Sequence, residues 1–279
     1  LISRITSAFG CLAFLSAQLL GADIMVNEYY NGSGTVRPGT KMARDEFIEF
    51  VIVGETTAAS LASLTFGDSN DATSQLQGVF RFAKSTLQQA LDSAQLLAFL
   101  PGTIFVVKGV DLGTQNLGYD PLNGHWSIEL VAGQGALDHP ETKINSNISI
   151  GNNGDTVWIS TTTPVRNSDT SGFIHAIGHD DNPGLIATNV AAVFGTENIL
   201  PTTIPSGTSI ANFGDTTESL VATSTATMGI ANGGQNSIWI DGLRYVGLAA
   251  APEPSRSMLL LGSSAAFVFR RQRQGGLRA

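Results

Sequence analysis

Asp45-Glu46-Phe47-Ile48-Glu49-Phe50-Val51-Ile52-Val53 is the stretch on which the reading of the fold turns. In an extended chain successive side chains point to opposite faces. Glu46, Ile48 and Phe50 therefore share one face, and Phe47, Glu49 and Val51 share the other. The faces are mixed at the start and fully apolar at the end, as in a strand that runs into a core. Before it, Ile24-Met25-Val26-Asn27-Glu28-Tyr29-Tyr30 is a second β-rich run, and Gly32, Gly34, Pro38 and Gly39 mark the loop between them. After it, strands are expected at 64–66, 79–82, 103–107, 126–131, 156–159 and 237–240, separated by clusters of Gly, Asn, Asp and Pro.

One stretch departs from this pattern. Leu87, Leu91 and Ala94 recur at helical spacing, and Leu97 and Leu100 close the run. Ser85 with Gln88 three residues later forms a capping box, and Pro101-Gly102 supplies the stop. The spacing predicts a single helix of about three turns. Short strands and frequent turns around one inserted helix predict an all-β fold, a β-sandwich.

Composition points the same way. The chain has 279 residues, enough for one large domain or two small ones. Its 42% hydrophobic content excludes a wholly disordered chain. Only 14% of residues are charged, against roughly 25% in ordinary soluble domains. With 31 glycines, the mix suits a secreted all-β protein better than a helix-rich cytosolic enzyme. The net charge of −8 argues against nucleic acid as a partner. The charge is also unevenly placed. Arg4 stands near the start and Arg256, Arg270, Arg271, Arg273 and Arg278 stand near the end, so residues 23–248 carry about −13.

Both ends read as addresses. Residues 1–22, LISRITSAFGCLAFLSAQLLGA, have a positive Arg4, an apolar stretch from Ala8 to Leu20 and a small-residue exit at Gly21-Ala22. That is the layout of a secretory signal peptide cut by signal peptidase after Ala22. The lone cysteine, Cys11, lies inside it, so the mature protein is expected to lack disulfides, Cys-based zinc sites and cysteine nucleophiles. In residues 249–279, Pro252-Glu253-Pro254 precedes an apolar run from Met258 to Phe269, and Arg270-Arg271-Gln272-Arg273 closes it. The run has 12 residues where a spanning helix needs roughly 20. It therefore reads as a transient membrane-seeking segment with a positive stop on the cytoplasmic side.

The order Pro-Glu-Pro, apolar helix, Arg-rich end resembles the PEP-CTERM sorting signal of exported bacterial proteins. The resemblance implies recognition by an exosortase-type membrane protease and delivery to the cell surface or the exopolysaccharide matrix. The short apolar run and the Gly275-Gly276-Leu277-Arg278-Ala279 extension depart from that signal. Within the body, Val26 to Tyr30 (VNEYY) and Asp45 to Phe50 (DEFIEF), then PGTIFVVKG from Pro101 and IANGGQNSIWIDGL from Ile230, resemble the lamin-tail domain of exported bacterial proteins. That resemblance spans Asp23 to Gly247 and implies an immunoglobulin-like β-sandwich. Residues 132–225 match it weakly, as a large insertion or a second sheet layer. The organisation expected is thus 1–22 signal peptide, 23–248 lamin-tail-like domain and 249–279 sorting signal.

Candidate chemistry is sparse. Phe66-Gly67-Asp68-Ser69-Asn70 looks like the nucleophile block of GDSL-type esterases. Their base sits in an Asp-x-x-His, whereas the residues three before His125, His139, His175 and His179 are Leu122, Ala136, Gly172 and Ala176. A Gly-Asp-Ser turn is the preferred reading. Asp68, Asn70 and Asp71 leave room for a loose Ca²⁺ site, although Ala72 and Val79 stand where an EF-hand needs ligands. His175 and His179 precede Asp180-Asp181, but Gly172, Gly178 and Pro183 disfavour a helix. On a strand those histidines share a face about 13 Å apart, so a polar loop is preferred to a metal clasp. Glu28, Asp45, Glu46 and Glu49 form an acidic set. Glu46 and Glu49 lie on opposite faces, which disfavours an acid/base pair and favours solvation and backbone hydrogen bonding. Trp126, Trp158 and Trp239 are read as core residues on strands rather than sugar platforms. The expectation is a non-catalytic surface or matrix protein whose partners are the two processing proteases and an exopolysaccharide, with no catalytic residue and no metal. The alternative is a secreted hydrolase of polysaccharide or phosphoester.

Overall fold

The computed structural model describes residues 24–33, 40–70, 75–139, 147–164, 171–180, 198–212 and 220–250. Residues 1–22 with Cys11 and Ala22 lie outside them. So do Asp71, Asp181, Pro183, the Pro252-Glu253-Pro254 motif and Arg270, Arg271 and Arg273.

The deciding stretch forms β2 (Phe47–Ile52), every residue of which is buried. It pairs antiparallel with β1 (Ile24–Asn31) on one side and with β5 (Ile104–Lys108) on the other. Outside β1 come β11 (Thr208–Asn212) and β12 (Leu220–Thr223); outside β5 comes β6 (Ser127–Val131), running parallel to it. This first sheet has six strands in the order β12-β11-β1-β2-β5-β6. The second, also six-stranded, runs β10-β9-β8-β3-β4-β7. Its strands are β3 (Thr65–Asn70), β4 (Gln75–Phe82), β7 (Leu137–Asp138), β8 (Gly154–Ser160), β9 (Phe173–Asp180) and β10 (Ile199–Leu200), with β9 and β10 parallel. The fold is thus mostly β, in two mixed sheets with few helices. The stretch 132–225 supplies β7 to β10 to the second sheet and β11 and β12 to the first.

The sheets pack face to face through one apolar core. Ile48, Phe50 and Ile52 of β2 meet Phe66, Phe80, Phe82, Val157 and Ile159 of the second sheet. The Phe50 ring stands edge-on to Phe66 at 5.4 Å and to Phe82 at 5.8 Å, a geometry that adds quadrupole attraction to area burial. A bulge between Val26 and Glu28 adds one residue to β1. It lets Ile24, Val26 and Tyr29 join this inner core while Tyr30 stacks on Phe47 across the other face, 5.5 Å between rings.

Three α-helices are described rather than one. α1 (Ala58–Ser63) is a short turn capped by Thr57, whose side chain accepts from the Ser60 N–H. α2 (Lys84–Ala94) is the expected three-turn helix, with Leu87 and Leu91 buried. Its ends differ from expectation. Ala83, not Ser85, is the N-cap, and it makes no side-chain cap bond; Ser85 lies inside the helix. The helix stops at Gln95, which adopts the left-handed conformation at φ 57° while its N–H and that of Leu96 close on Leu91 O. Leu97 falls outside and is 91% exposed, and Pro101-Gly102 serves as the turn into β5.

The largest correction is at 237–240, read as a strand. These residues belong to α3 (Gly234–Ala250). Asn236, Ile240, Leu243 and Gly247 recur at helical spacing on its buried side, and four residues of Ser-Ile-Trp-Ile were too short a window to reveal that period. α3 lies on the outer face of the first sheet, where Ile240, Trp239 and Leu243 pack with Phe47, Val51, Ile104 and Val106. β2 is therefore covered on both faces, which explains why its end is continuously apolar.

Candidate functional site

Polar groups gather under α3, between the sheets and around a cavity open to solvent. Under α3, Glu28 and Glu49 are cross-strand partners and both are 0% exposed. Glu49 accepts from Asn27 Nδ2 at 2.8 Å and from the Gly229 N–H at 2.8 Å. Asn27 Oδ1 accepts from Asn236 Nδ2, and Asn236 Oδ1 accepts from the Asn232 N–H. Asn232 Nδ2 donates to the carbonyls of Asn27 and Asn212, which fixes its Oδ1 as an acceptor facing Thr227 Oγ1 at 2.6 Å. Thr227 Oγ1 also lies 2.5 Å from Glu28 Oε2. A hydroxyl has one proton to donate. Thr227 gives it to Asn232, so Glu28 must be the protonated partner and donate to Thr227. Burial pushes the Glu28 carboxyl above its ordinary value, in agreement with this. Burial raises Glu49 well above its ordinary value, while its bonds from Asn27 and Gly229 pull it back down. The chain of amides thus ties the entry to α3 to the middle of the first sheet.

At the junction of the sheets, three carboxyls meet one loop. The Ser149 N–H donates to Asp68 Oδ2, the Ile150 N–H to Glu46 Oε2 and the Gly151 N–H to Asp155 Oδ2, at 3.0, 3.0 and 2.9 Å. Asp68 also accepts from the Gly78 N–H and Asp155 from the Thr156 N–H. All three side chains are buried. Burial and the nearby Asp68 and Asp45 charges raise Glu46 to about 9. Burial raises Asp68 to about 7. Asp155 is pushed well up, by burial first and then by Asp68 and Glu46. These groups hold backbone in place; among the described residues no set of three or more His, Cys, Asp or Glu is arranged to hold a metal ion.

The histidine segment is strand β9, not a loop. His175 and His179 are both buried against β1. His175 Nδ1 accepts from the Val26 N–H at 3.1 Å, and burial lowers its pKa to about 4, so it is neutral. His179 Nε2 lies 2.9 Å from Gly151 O, which can only accept, so Nε2 carries the proton. Its Nδ1 then accepts from the Tyr29 hydroxyl at 2.6 Å. Tyr29 stays a phenol because burial, then Asp155, raises its pKa well above normal.

The GDS block is also strand rather than turn. Asp68 sits at a bulge in β3, and Ser69 is fully buried with Oγ accepting from Trp158 Nε1 at 3.0 Å. Trp158 is a core residue, stacked on Phe173 at 5.0 Å. Trp126 is 9% exposed, while Trp239 is half-buried and lies on α3 rather than on a strand. Glu46 and Glu49 lie on opposite faces as expected. Both take backbone hydrogen bonds, but neither is solvated.

The solvent-open grouping was not foreseen. A cavity of about 250 Å³ opens between the loop before β6 and the entry to α3, lined by residues that include Asn116, His125, Trp126, Ser127, Gly229 and Arg244. The Arg244 guanidinium lies 5.3 Å from the centre of the Trp126 ring. Its Nε donates to Gly102 O at 3.1 Å, and Nη1 reaches Asp241 at 3.2 Å. Asn116 Oδ1 accepts from the Gly118 N–H, which leaves the amide NH₂ for a ligand. His125 is exposed. Arg244 joins Asn116 and His125 only because α3 crosses β5, a placement no local pattern signals.

No protein-family model, curated protein or solved structure matches the chain.

Proposed function

We propose that this is an exported, non-catalytic surface or exopolysaccharide-matrix protein. Its β-domain is an immunoglobulin-like sandwich of the lamin-tail kind that binds an acidic glycan. Its C-terminal residues are a PEP-CTERM-type signal read by an exosortase-type protease. The observation that carries the binding reading is a division of labour. The carboxyls of Glu28, Glu46, Glu49, Asp68 and Asp155 and the rings of His175 and His179 hold interior hydrogen bonds. The open cavity instead offers an arginine, a histidine and an amide, and no carboxyl is among its described lining residues. Such a donor-rich cup inside an acidic protein suits a carboxylate, such as that of a uronate residue.

The test is calorimetric titration of the purified protein with a polyuronate and, separately, a neutral glucan. Saturable binding to the polyuronate alone, weakened at least tenfold by both His125→Ala and Arg244→Gln, is expected. Equal binding to both glycans, or none to either, would overturn the assignment. Turnover of a polysaccharide or phosphoester abolished by His125→Ala would instead establish the hydrolase.

A further inference from the structure

We infer that the outward side of α3 lies flat on the lipid surface in which the C-terminal apolar segment is seated. This rests on the reading of residues 249–279 as membrane-seeking. α3 buries Asn236 and Ile240 against the first sheet and Gly247 against Leu100 and Pro101. Its other sides present Ile238 at 66%, Tyr245 at 77%, Val246 at 61% and Leu248 at 40% exposure, and Ile230, just before the helix, is 62% exposed. Single exposed apolar residues are ordinary, but five large ones on one short segment mark a contact surface. Gly242 and Ala249 lie among them. Asp241, whose side chain is 71% exposed, shares this side, and its charge is offset by Arg244 Nη1 at 3.2 Å.

Lipid is the occupant that continuity of the chain supplies. α3 ends at Ala250, and the apolar run starts eight residues later at Met258. Eight residues span at most about 28 Å. Once Met258 to Phe269 enters the bilayer, α3 is tethered at the surface from which that segment enters. Tyrosine favours the headgroup level, and aliphatic neighbours favour the layer beneath it. The body is acidic, with residues 23–248 at about −13. The contact is therefore apolar in origin and stronger on zwitterionic than on anionic lipid.

The test uses residues 23–279, the chain left after signal-peptide removal, with Val246→Cys as its only cysteine carrying a polarity-sensitive fluorophore, and vesicles of phosphatidylcholine and phosphatidylethanolamine. Flotation reports the tail; the emission of the fluorophore, and its quenching by brominated lipid, reports α3. Flotation with a blue-shifted, lipid-quenched signal is expected. Adding Ile238→Ser and Tyr245→Ser should reduce vesicle partitioning at least fivefold with an unchanged melting temperature. Flotation with the fluorophore still in water would overturn the docking of α3 and leave the tail reading standing. Failure to float would overturn both. A blue shift that depends on protein concentration and needs no vesicles would assign the face to a second copy and overturn the lipid assignment.

Discussion

Glu28 on β1 and Glu49 on β2 stand directly opposite one another, both fully buried, and the hydroxyl of Thr227 leaves only Glu28 able to act as the donor of the pair. Their surroundings differ accordingly. Glu28 Oε2 faces a hydroxyl whose own proton is committed elsewhere, and the Thr227 N–H reaches the Glu28 oxygens only at 3.3 and 3.4 Å, whereas the two oxygens of Glu49 each accept from an N–H donor at 2.8 Å.

That difference predicts opposite outcomes for the same chemical change. Glu28→Gln keeps a donor toward Thr227 and should alter unfolding free energy by less than about 0.5 kcal/mol. Glu49→Gln sets an NH₂ against Asn27 Nδ2 or the Gly229 N–H and should cost about 1–3 kcal/mol. Urea unfolding of the two variants at pH 7 decides the matter; equal losses would show that the proton is not where the hydrogen bonds put it.

A second prediction concerns pH. The folded pKa values of Glu46 and Asp68, about 9 and about 7, are raised above those of an unfolded chain, so the native state binds the extra protons. Their stabilisation is complete below about pH 4 and is lost as pH rises through the folded values. His175 acts in the opposite sense. Its folded pKa of about 4 is depressed, so its contribution is present above about pH 6.5 and lost as pH falls through 4. Between pH 6.5 and 9 the raised carboxyls set the trend, and stability should fall on the order of 1 kcal/mol per pH unit for each group whose proton only the native state keeps. Melting temperature followed from pH 6.5 to 9 should decline in the wild type and flatten in Glu46→Gln. A wild-type profile that rises over this range would refute the assignment.

The docking of α3 gives a third. Asn232 serves the Asn27 and Asn212 carbonyls and the Thr227 hydroxyl at once. Asn232→Ala strands all three in a buried site and should cost about 3 kcal/mol. Limited proteolysis should then cleave after Arg244 earlier than any other described site. Unchanged resistance there would mean that apolar packing of Ile240 alone retains the helix.

The sorting signal is tested in cells. Replacing Pro252, Glu253 and Pro254 by Ala should leave the protein unprocessed and off the surface. Intact mass of the wild-type protein recovered from the outer surface should lack the first ~22 residues and the segment beyond the Pro-Glu-Pro. Identical mass and location in the variant would remove the support for a sorting role.

The alternation in 45–53 made β2 and the opposite facing of Glu46 and Glu49 legible, because strand periodicity is a local property of two-residue repeats; their burial was not legible, since both were expected to be solvated. Helix α2 was legible for the same reason, through Leu87 and Leu91. Its ends were not. Ser85 had capping chemistry but not the capping position, since Ala83 already leaves the sheet through its N–H bond to Ala136 O. The reading of 237–240 as a strand failed because a four-residue apolar window satisfies both periods. β9 was missed because its inward positions are His175, Ile177 and His179. Histidine reads as polar in a sequence, whereas here each ring completes a hydrogen bond to β1.

Local pattern, in the end, was enough for the β character of the chain, for seven of the twelve described strands and for the placement of Glu46 and Glu49 on opposite faces. It could not reveal which polar groups would be buried together. Glu28 with Thr227, Asp68 with Ser149 and Arg244 with Trp126 are separated by 199, 81 and 118 positions and meet only where the sheets and α3 pack. Burial sets whether a carboxyl is charged and whether a histidine is a base or a brace, and burial is a property of the packed layers rather than of any segment.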